Sequence, residues 1–586
     1  MRSIADLGHR VHPPPAHHTA CLLAAAVWLI APGSVCAQTH PLQSTSISHR
    51  IIEGDTLEQL ARRYLGDPAL WPALQSHNQV DSPYRLRPGA VLEIPLRLMR
   101  AATASVDYVQ GSAHVSRSGA AAPLTPGAPL HEGDRIQLDP DAFVSVRLAD
   151  GSLVRVQANS QVQLNQLRRR GRAGSLQSVL EVQQGAVEVQ VPGRPNPQRR
   201  LDVLTPVAAT SVRGTVFDVQ LAADGSVTSS VLQGRVAVQS LTDAQRRRPA
   251  TALGKHTGLA VSATGQAGLP TPLLPAPAAH ELPQLNEDAQ WLNLPLPAWE
   301  QARSWRVSVS QDVQGQHVLR NGQFQGTLAR FAAIPDGNYF LHARALDHQG
   351  ISGLPATVPL RVKAHPVAPL VQTPAPGAVL AQGEAELRCT PVAGVSRYHH
   401  QVIAIPEGQT ATPASAFAQA AVQPQESTTA CSVDLRQLPA GHYAWRAASV
   451  RLVQGAADQG PFAAAHAFRI APRPATLALE DVQVQTSAGV ATIHWPAEPG
   501  QRFRLQAFAQ ASGTEAALDT VLNEPRWTAS ELPPGTWHVR IQVQDPSGLH
   551  SAFSPPRSVQ VLALLRDSAG HPVVSGAGLG WEHPQK

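Results

Sequence analysis

The side chains that most often carry out chemistry in proteins are present in this chain, but they are not spaced for it. The chain has 24 histidines, yet it contains no His-Glu-x-x-His or Cys-x-x-Cys spacing that would bring metal ligands together. His399 and His400 are neighbours on a predicted strand, so their side chains point to opposite faces and are poorly placed to share an ion. No Gly-x-Ser-x-Gly elbow and no phosphate-binding loop occurs. We predict no enzyme, no metal and no cofactor. The alternative, an enzyme of unrecognised type, predicts a convergent polar pocket between the β-sandwich domains near the C-terminus.

The four cysteines fall into two groups. Cys21 and Cys36 lie in the N-terminal segment, whereas Cys389 and Cys431 lie far along the chain. An even pair in an oxidising compartment is expected to form a disulfide, which would stabilise the fold by roughly 3 to 4 kcal/mol. The alternative is two small buried thiols.

The N-terminus has the pattern of an export signal. Arg2 and Arg10 precede an apolar run over 20–31, and Val35-Cys36-Ala37 places small residues at a cleavage site. We predict a signal peptide over residues 1–37 and a periplasmic or cell-envelope location without a transmembrane anchor, because the apolar run is too short to span a bilayer. A lipoprotein with Cys36 as lipid acceptor is the alternative. The net charge of +5 is too weak to indicate a nucleic-acid partner.

The segment behind this signal has a compact pattern of strand, helix, helix and strand. His49–Ile52 is predicted as a short strand, and Asp55 as the cap of the first helix. The apolar residues of that helix form one stripe: Leu57, Leu60, Ala61 and Tyr64. Asp67-Pro68 opens the second helix, Asn78 closes it, and Pro88-Gly89 turns the chain into the last strand.

Residues 47–97 therefore resemble a LysM domain, through Gly-Asp-Thr-Leu, the Asn after the second helix and the final Pro-Gly-x-x-Leu-x-Ile-Pro. The resemblance implies a βααβ fold that binds peptidoglycan or another N-acetylglucosamine glycan in a groove between two loops. Carried onto this sequence, the groove consists of Gly54, Asp55, Thr56, Leu57, Val80, Asp81, Ser82, Pro83 and Tyr84. Tyr84 could stack on a sugar face. The alternative is a module that folds without binding glycan.

Residues 105–262 alternate apolar and polar side chains in short runs, which predicts an all-β domain. Predicted turns separate the runs at Asp150-Gly151, Gln184-Gly185, Asp224-Gly225 and Gln233-Gly234. The segment resembles a FecR domain, most specifically through Val-Arg-Gly-Thr-Val-Phe-Asp-Val at 212–219. The resemblance implies contact with an unidentified envelope protein. The sigma-regulator role of that family is not carried over, because we predict neither its membrane helix nor its cytoplasmic segment. The arginine run at 168–172 is predicted as a solvated hairpin tip, or else as a contact for anionic partners.

A proline-rich linker is predicted over 263–284, followed by three repeats of one turn. The turns begin at Pro335, Pro439 and Pro533, about 100 residues apart, which is the size of an immunoglobulin-like sandwich. The repeats resemble fibronectin type III modules, which implies that the aromatic residue after each turn lies at a sandwich corner. The predicted bounds are 285–363, 364–470 and 471–562, with a tail over 563–586.

An aromatic residue lies about 30 to 40 positions ahead of each turn: Trp305, Tyr398 and Phe503. Cys389 takes the position that Leu296 holds in the first repeat, and Cys431 lies near the position of Trp527 in the third, so both cysteines are expected to face the core. The predicted fold is thus multi-domain and mainly β. The predicted function is a non-catalytic peptidoglycan-binding envelope protein that anchors β-domains for protein interaction or sensing. The alternative is a periplasmic FecR-type signalling component that acts through a protein partner.

Overall fold

The computed structural model describes residues 46–171, 175–192, 200–212, 214–242, 249–406, 412–419, 425–426, 430–487, 490–562, 565–566, 568–569 and 572–573. The predicted signal peptide and most of the predicted tail lie outside these residues. The chain divides into two compact units, one up to Arg100 and one from Ala101 onward. In the described part of the chain, every helix is too short or too polar to cross a membrane.

The first unit is the predicted βααβ module. Its elements are the strands Ser46–Arg50 and Val91–Pro95, the helices Leu57–Leu65 and Trp71–Asn78, and the 3-10 turns Pro68–Leu70 and Leu96–Leu98. The two strands pair antiparallel. The predicted apolar stripe is confirmed, because all four of its side chains are at most 4% exposed and form the core of the module.

The predicted cap of the first helix is wrong by one residue. Thr56, rather than Asp55, caps the helix, since its hydroxyl accepts a hydrogen bond from the Gln59 amide. The Asp55 carboxylate instead accepts from the Ile52 amide at 2.9 Å, which fixes the loop before the helix. The predicted end of the helix is confirmed, because Gly66 adopts a left-handed φ of 77°.

Asn78 ends the second helix as predicted and also fastens it to the sheet. Its side-chain amide donates to the Glu93 carbonyl and accepts from the Glu93 N–H, each at 2.7 Å. The same amide donates to the Leu74 carbonyl inside the helix. The Asn78 side chain thus pairs with the Glu93 backbone as a neighbouring strand would. This pairing helps to stabilise a module whose core is small.

The second unit begins with the FecR-like domain, whose strands form two layers around one core. Layer one contains Ala113–Arg117, Ala120–Pro123, Arg135–Leu138, Gln161–Arg170, Arg200–Leu204, Ala208–Val212, Val236–Ser240 and Thr251–Leu253. Layer two contains Ala104–Gln110, Pro129–Leu130, Phe143–Arg147, Leu153–Val156, Val216–Leu221, Val227–Gln233, Thr257–Val261 and Thr271–Pro272. A two-residue strand, Arg100–Ala101, lies at the boundary between the units.

One long strand, Ser175–Gln190, belongs to both layers. Its first half pairs with Gln161–Arg170 and its second half with Val216–Leu221. The predicted Gln184-Gly185 turn is therefore wrong. Gly185 has a φ of 79° within the strand, and a Cβ there would lie 2.2 Å from the Ser160 hydroxyl oxygen. The glycine lets the strand bend from one layer into the other without reversing.

Three two-sheet domains follow along the chain. The first contains Leu285–Asn286, Trp291–Pro295, Ser304–Ser310, Val318–Phe324, Leu328–Ala332, Gly337–Leu346 and Ala356–Val362. The second contains Val371–Thr373, Val379–Ala381, Glu386–Cys389, Arg397–Ile405, Gln425–Glu426, Ser432–Asp434, Gly441–Val453, Ala456–Phe462 and His466–Ala471, with the helix Pro413–Gln419. The third contains Gln483–Ser487, Val490–His494, Arg502–Phe508, Leu518–Leu522, Arg526–Thr528, Gly535–Gln544 and Arg557–Val561. Short 3-10 turns, Ala279–Glu281 and Ala529–Glu531, and a final hairpin of Leu565–Arg566 with Pro572–Val573 complete the described elements.

The repeated turn forms the same corner in each sandwich. Tyr339 and Tyr443 donate their hydroxyl protons to the carbonyls of Pro335 and Pro439, each at 2.9 Å. In the third sandwich the Trp537 indole N–H donates to the Pro533 carbonyl at 2.8 Å. The aromatic body packs against the sandwich while its polar tip closes the turn. The aromatic residues ahead of these turns, Trp305, Tyr398 and Phe503, are all at most 2% exposed.

The proline-rich segment predicted as a linker is extended, and it pairs with its neighbours on both sides. Thr271 and Pro272 form a short strand against Thr257–Val261. The Leu274 carbonyl accepts a hydrogen bond from the Leu354 amide of the first sandwich at 2.9 Å. The FecR-like domain and the first sandwich are therefore joined by ordered chain.

Candidate functional site

The two loops of the predicted glycan groove meet in the LysM-like module. The Leu57 amide donates to the Pro83 carbonyl at 3.2 Å, which ties the loop before the first helix to the loop after the second. The Val80 amide donates to the Gln75 carbonyl, and the Gln75 side chain donates back to the Val80 carbonyl. Backbone hydrogen bonds therefore hold both rims in place.

The nine predicted groove residues differ in what they present to solvent. Tyr84 is the most exposed large side chain among them at 70%. Leu57 is fully buried, so only its backbone lies at the groove, and that N–H is already engaged. The remaining positions are exposed or half-buried and consist of Gly54, Thr56, Val80, Asp81, Ser82 and Pro83.

Asp55 faces inward, where its carboxylate bonds within the rim loop. Its carboxylate lies 2.8 Å from His49 Nε2, and His49 Nδ1 lies 2.9 Å from the Tyr64 hydroxyl. Burial alone raises the pKa of Asp55, but the hydrogen bonds from His49 and the Ile52 amide outweigh it, so the pKa lies below the ordinary value. The carboxylate is thus charged at neutral pH, and its Oδ2 atom makes both contacts, which gives Asp55 a structural role in the loop.

Ile52 was not among the predicted groove residues, although it is 60% exposed. Its amide donates to Asp55, so it lies in the rim loop itself. The sequence contained one signal for this: Ile51 and Ile52 are adjacent, and only one of two neighbouring extended residues can face the core. Ile51 is buried, and Ile52 therefore points outward.

A second concentration of polar side chains lies between the FecR-like domain and the first sandwich. Arg155, Glu188 and Asp218 are direct cross-strand neighbours in a row across layer two. Arg306 and Arg344 are cross-strand neighbours on the facing sheet of the first sandwich. Glu188 pairs with both Arg155 and Arg344, and Asp218 pairs with Arg306. The two rows of charge are therefore complementary.

This interface excludes most solvent from its charges. The side chains of Glu188 and Asp218 are 10% and 0% exposed. Burial raises the pKa of Glu188, but the Arg344 and Arg155 guanidinium groups outweigh it and lower the pKa to about 2. The Tyr108 hydroxyl donates to the Val318 carbonyl, and the Ser352 amide donates to the Ser230 hydroxyl, each at 3.1 Å. The FecR-like domain thus uses the outer face of layer two to bind its own neighbouring domain.

The third cluster lies in the second sandwich. Cys389 and Cys431 form a disulfide with their Cα atoms 5.2 Å apart. Potential ligand atoms of Cys389, Cys431 and His400 lie within 4.8 Å of one another, and all three residues are buried. Because the disulfide consumes both thiols, the cluster in this state offers a metal only the imidazole. His399 faces the other side of the strand, as predicted, and contacts the Gln459 side-chain oxygen at 2.8 Å.

Comparison with protein families matches two segments of the chain. Residues 49–95 match the LysM domain, and residues 134–237 match the FecR protein family. None of the curated proteins matches the sequence significantly.

Two solved structures show low similarity. A crystal structure of a proposed anti-sigma factor from Parabacteroides distasonis ATCC 8503 shares 20% identity over 24% of this chain, with a TM-score of 0.19. The chain spans 59% of the length of that protein. The chicken CNTN1 FN1-FN3 domains share 14% identity over 47% of this chain and 96% of theirs, with a TM-score of 0.23.

The fold and the matched segments define a modular, mainly β protein with a small βααβ module at its N-terminal side. The chain contains a LysM domain at 49–95 and a FecR domain at 134–237, the two domains that its motifs predicted.

Proposed function

We propose that this protein is a non-catalytic envelope protein that binds peptidoglycan, or another N-acetylglucosamine glycan, through its LysM groove. In this role the groove anchors the FecR domain and the three sandwiches at the cell wall, outside the cytoplasm. The observation that carries the proposal is the LysM match, together with two hydrogen-bonded rims that leave Tyr84 and Ile52 exposed. The Cys389–Cys431 disulfide supports an oxidising compartment.

The geometry suits weak and extended recognition. Tyr84 supplies an aromatic face for a pyranose ring, and Ile52 supplies an apolar edge on the opposite rim loop. Asp55 keeps its charge inside the loop, so recognition falls to neutral groups and backbone atoms. A shallow groove of this size buries little area, so a single module is expected to bind weakly and to gain retention from repeated contacts with the polymer.

Titration of the full chain with soluble N-acetylglucosamine oligosaccharides tests the groove directly. Tyr84→Ala is expected to weaken binding about tenfold, or about 1.4 kcal/mol, because the stacking surface is lost. Ile52→Ser is expected to weaken it less. Val521→Ala, in the third sandwich, removes an apolar side chain that is as exposed as that of Ile52, and it serves as the matched control. Equal affinities for Tyr84→Ala and the control would contradict the assignment of the groove.

A second function, signalling through a protein partner, is favoured by the FecR match. The outer face of layer two is covered by the first sandwich, so we infer that a partner binds the outer face of layer one, where Arg135 and Gln137 are exposed. A photo-crosslinking amino acid at Gln137 is expected to capture one discrete protein in cells, whereas the same group at Val521 should not. Recovery of cell-wall material alone from both positions would refute this second function.

A further inference from the structure

A cleft of about 780 Å³ lies between the FecR domain and the first sandwich, at the edge of their charged interface. Its lining is unusual in composition, because six side-chain amides surround one cavity: Gln110, Gln157, Asn159, Gln220, Asn321 and Gln323. Trp291 and Arg330 line the same cavity from the two-stranded sheet of the first sandwich. We call this cavity the amide cleft.

Asn321 is an unsatisfied polar group in the wall of the amide cleft. It is only 4% exposed, and its amide nitrogen makes one long hydrogen bond of 3.4 Å to the Gln157 side-chain oxygen. Its Oδ1 atom has no hydrogen-bond partner among the described residues. A buried amide oxygen without a donor destabilises the fold, because it loses its hydrogen bonds to water and gains none in exchange. Such an atom calls for an explanation. Oδ1 is closed off from the cleft as the side chain stands, and a turn of the Asn321 side chain toward the cleft would let a ligand hydroxyl supply the missing donor.

The charged groups of the amide cleft are largely engaged elsewhere. Arg306 pairs with Asp218 and donates to the Gln220 side-chain oxygen at 2.7 Å. Arg320 donates to three backbone carbonyls, those of Leu319, Ala332 and Ala333. Two side chains of opposite charge, Asp141 and Arg330, also line the cleft, and the Gln220 and Gln323 amides are hydrogen-bonded to each other and to Arg306 and Ser304. The amides of Gln110, Gln157 and Asn159 make fewer hydrogen bonds within the protein and offer donors and acceptors to a ligand. This pattern favours an uncharged ligand rich in hydroxyl groups.

Trp291 adds an apolar platform to these amides. Its side chain is 40% exposed, and the Arg330 guanidinium lies over the ring at 4.5 Å from its centroid. This stacking fixes the indole in the cleft wall and leaves part of it open. A pyranose ring has an apolar C–H face and a rim of hydroxyls, so it matches an aromatic platform flanked by amides.

We propose that the amide cleft binds a neutral oligosaccharide, with a sugar ring on Trp291 and its hydroxyls on Asn321 and the neighbouring amides. The site is separate from the LysM groove and would bind sugar even if that groove did not. The protein would then hold glycan at two places, one in each of its compact units.

The test uses the full chain on an array of neutral tetra- to hexasaccharides of glucose, mannose, galactose or N-acetylglucosamine, with acidic uronic-acid oligosaccharides beside them. At least one neutral glycan is expected to bind, and Trp291→Ala and Asn321→Ala should each weaken that binding about tenfold. Tyr84→Ala should leave it unchanged, which separates this site from the LysM groove. Leu328→Ala, an exposed position on the same two-stranded sheet but outside the cleft, is the matched control.

Gln323→Ala provides a second variant if Asn321→Ala unfolds, because Gln323 is exposed and lines the same cleft. Thermal melting of each variant establishes that it is folded before binding is compared. The proposal is overturned if no neutral glycan binds, if only acidic glycans bind, or if every bound glycan is lost with Tyr84→Ala and retained with the cleft variants.

Discussion

Glu188 is expected to be the side chain on which the joint between the FecR domain and the first sandwich depends most. Glu188→Gln keeps the shape of the side chain but leaves Arg155 and Arg344 facing each other without the carboxylate between them. The shift of the Glu188 pKa from 4.5 to about 2 corresponds to about 3 kcal/mol of preferential stabilisation of the charged form. Removal of one member of a buried ion pair elsewhere destabilises proteins by about 3 to 5 kcal/mol. Both figures indicate that Glu188→Gln destabilises the joint between the two domains by about 3 kcal/mol.

Hydrogen exchange followed by mass spectrometry measures this loss locally, which matters because a chain of several domains does not unfold in one step. Peptides that cover 186–190 and 340–346 should exchange about 100-fold faster in Glu188→Gln, as a loss of about 3 kcal/mol requires. The same peptides should be unaffected by Asp107→Asn, which breaks the exposed Arg147–Asp107 pair of the same domain. If Glu188→Gln changed exchange no more than Asp107→Asn, the claim of a charge-locked joint would be refuted.

Three further predictions concern the LysM domain and the second sandwich. Asn78→Ala should destabilise the LysM domain by at least about 2 kcal/mol, because the Glu93 N–H and carbonyl both lose a partner at 2.7 Å. Hydrogen exchange of peptide 91–95 measures this loss. An effect as small as that of Gln59→Ala would contradict the prediction. His400 has a pKa lowered to about 4 by burial, so its neutral form stabilises the second sandwich fully above pH 6.5 and progressively less as the pH falls. Between pH 6.5 and pH 5 this sandwich should lose about 2 kcal/mol, a loss that His400→Gln should remove; an identical pH slope in both proteins would count against it. Replacement of Cys389 and Cys431 by alanine removes a cross-link across 42 residues and should destabilise the same sandwich by about 4 kcal/mol. Unchanged protection of residues 441–453 from hydrogen exchange would disprove this.

Local patterns in the sequence predicted local structure well. The apolar stripe of the first LysM helix, its glycine end and the three sandwich corners all depend on residues a few positions apart, so their periodicity and turn chemistry are visible in the chain. The wrong cap of the first helix also has a local cause. Asp55 and Thr56 can each cap a helix, and the choice between them depends on His49, which holds the Asp55 carboxylate from the neighbouring strand.

The contacts between distant residues could not be predicted in this way. Glu188 and Arg344 are 156 positions apart, and neither lies in a sequence motif that predicts a contact with the other. Gly185 resembles a turn residue in sequence, and only the close approach of Ser160 shows that it bends a continuous strand. The position of His400 beside the disulfide depends in the same way on the packing of two sheets.

In the proposed function, the LysM domain anchors the whole protein at the cell wall. The most direct test is co-sedimentation of the purified full chain with peptidoglycan sacculi, compared with a chain that lacks residues 47–97. The full chain is expected in the pellet and the shortened chain in the supernatant. Equal sedimentation of the two chains, or a full chain that stays in the supernatant, would contradict the central claim.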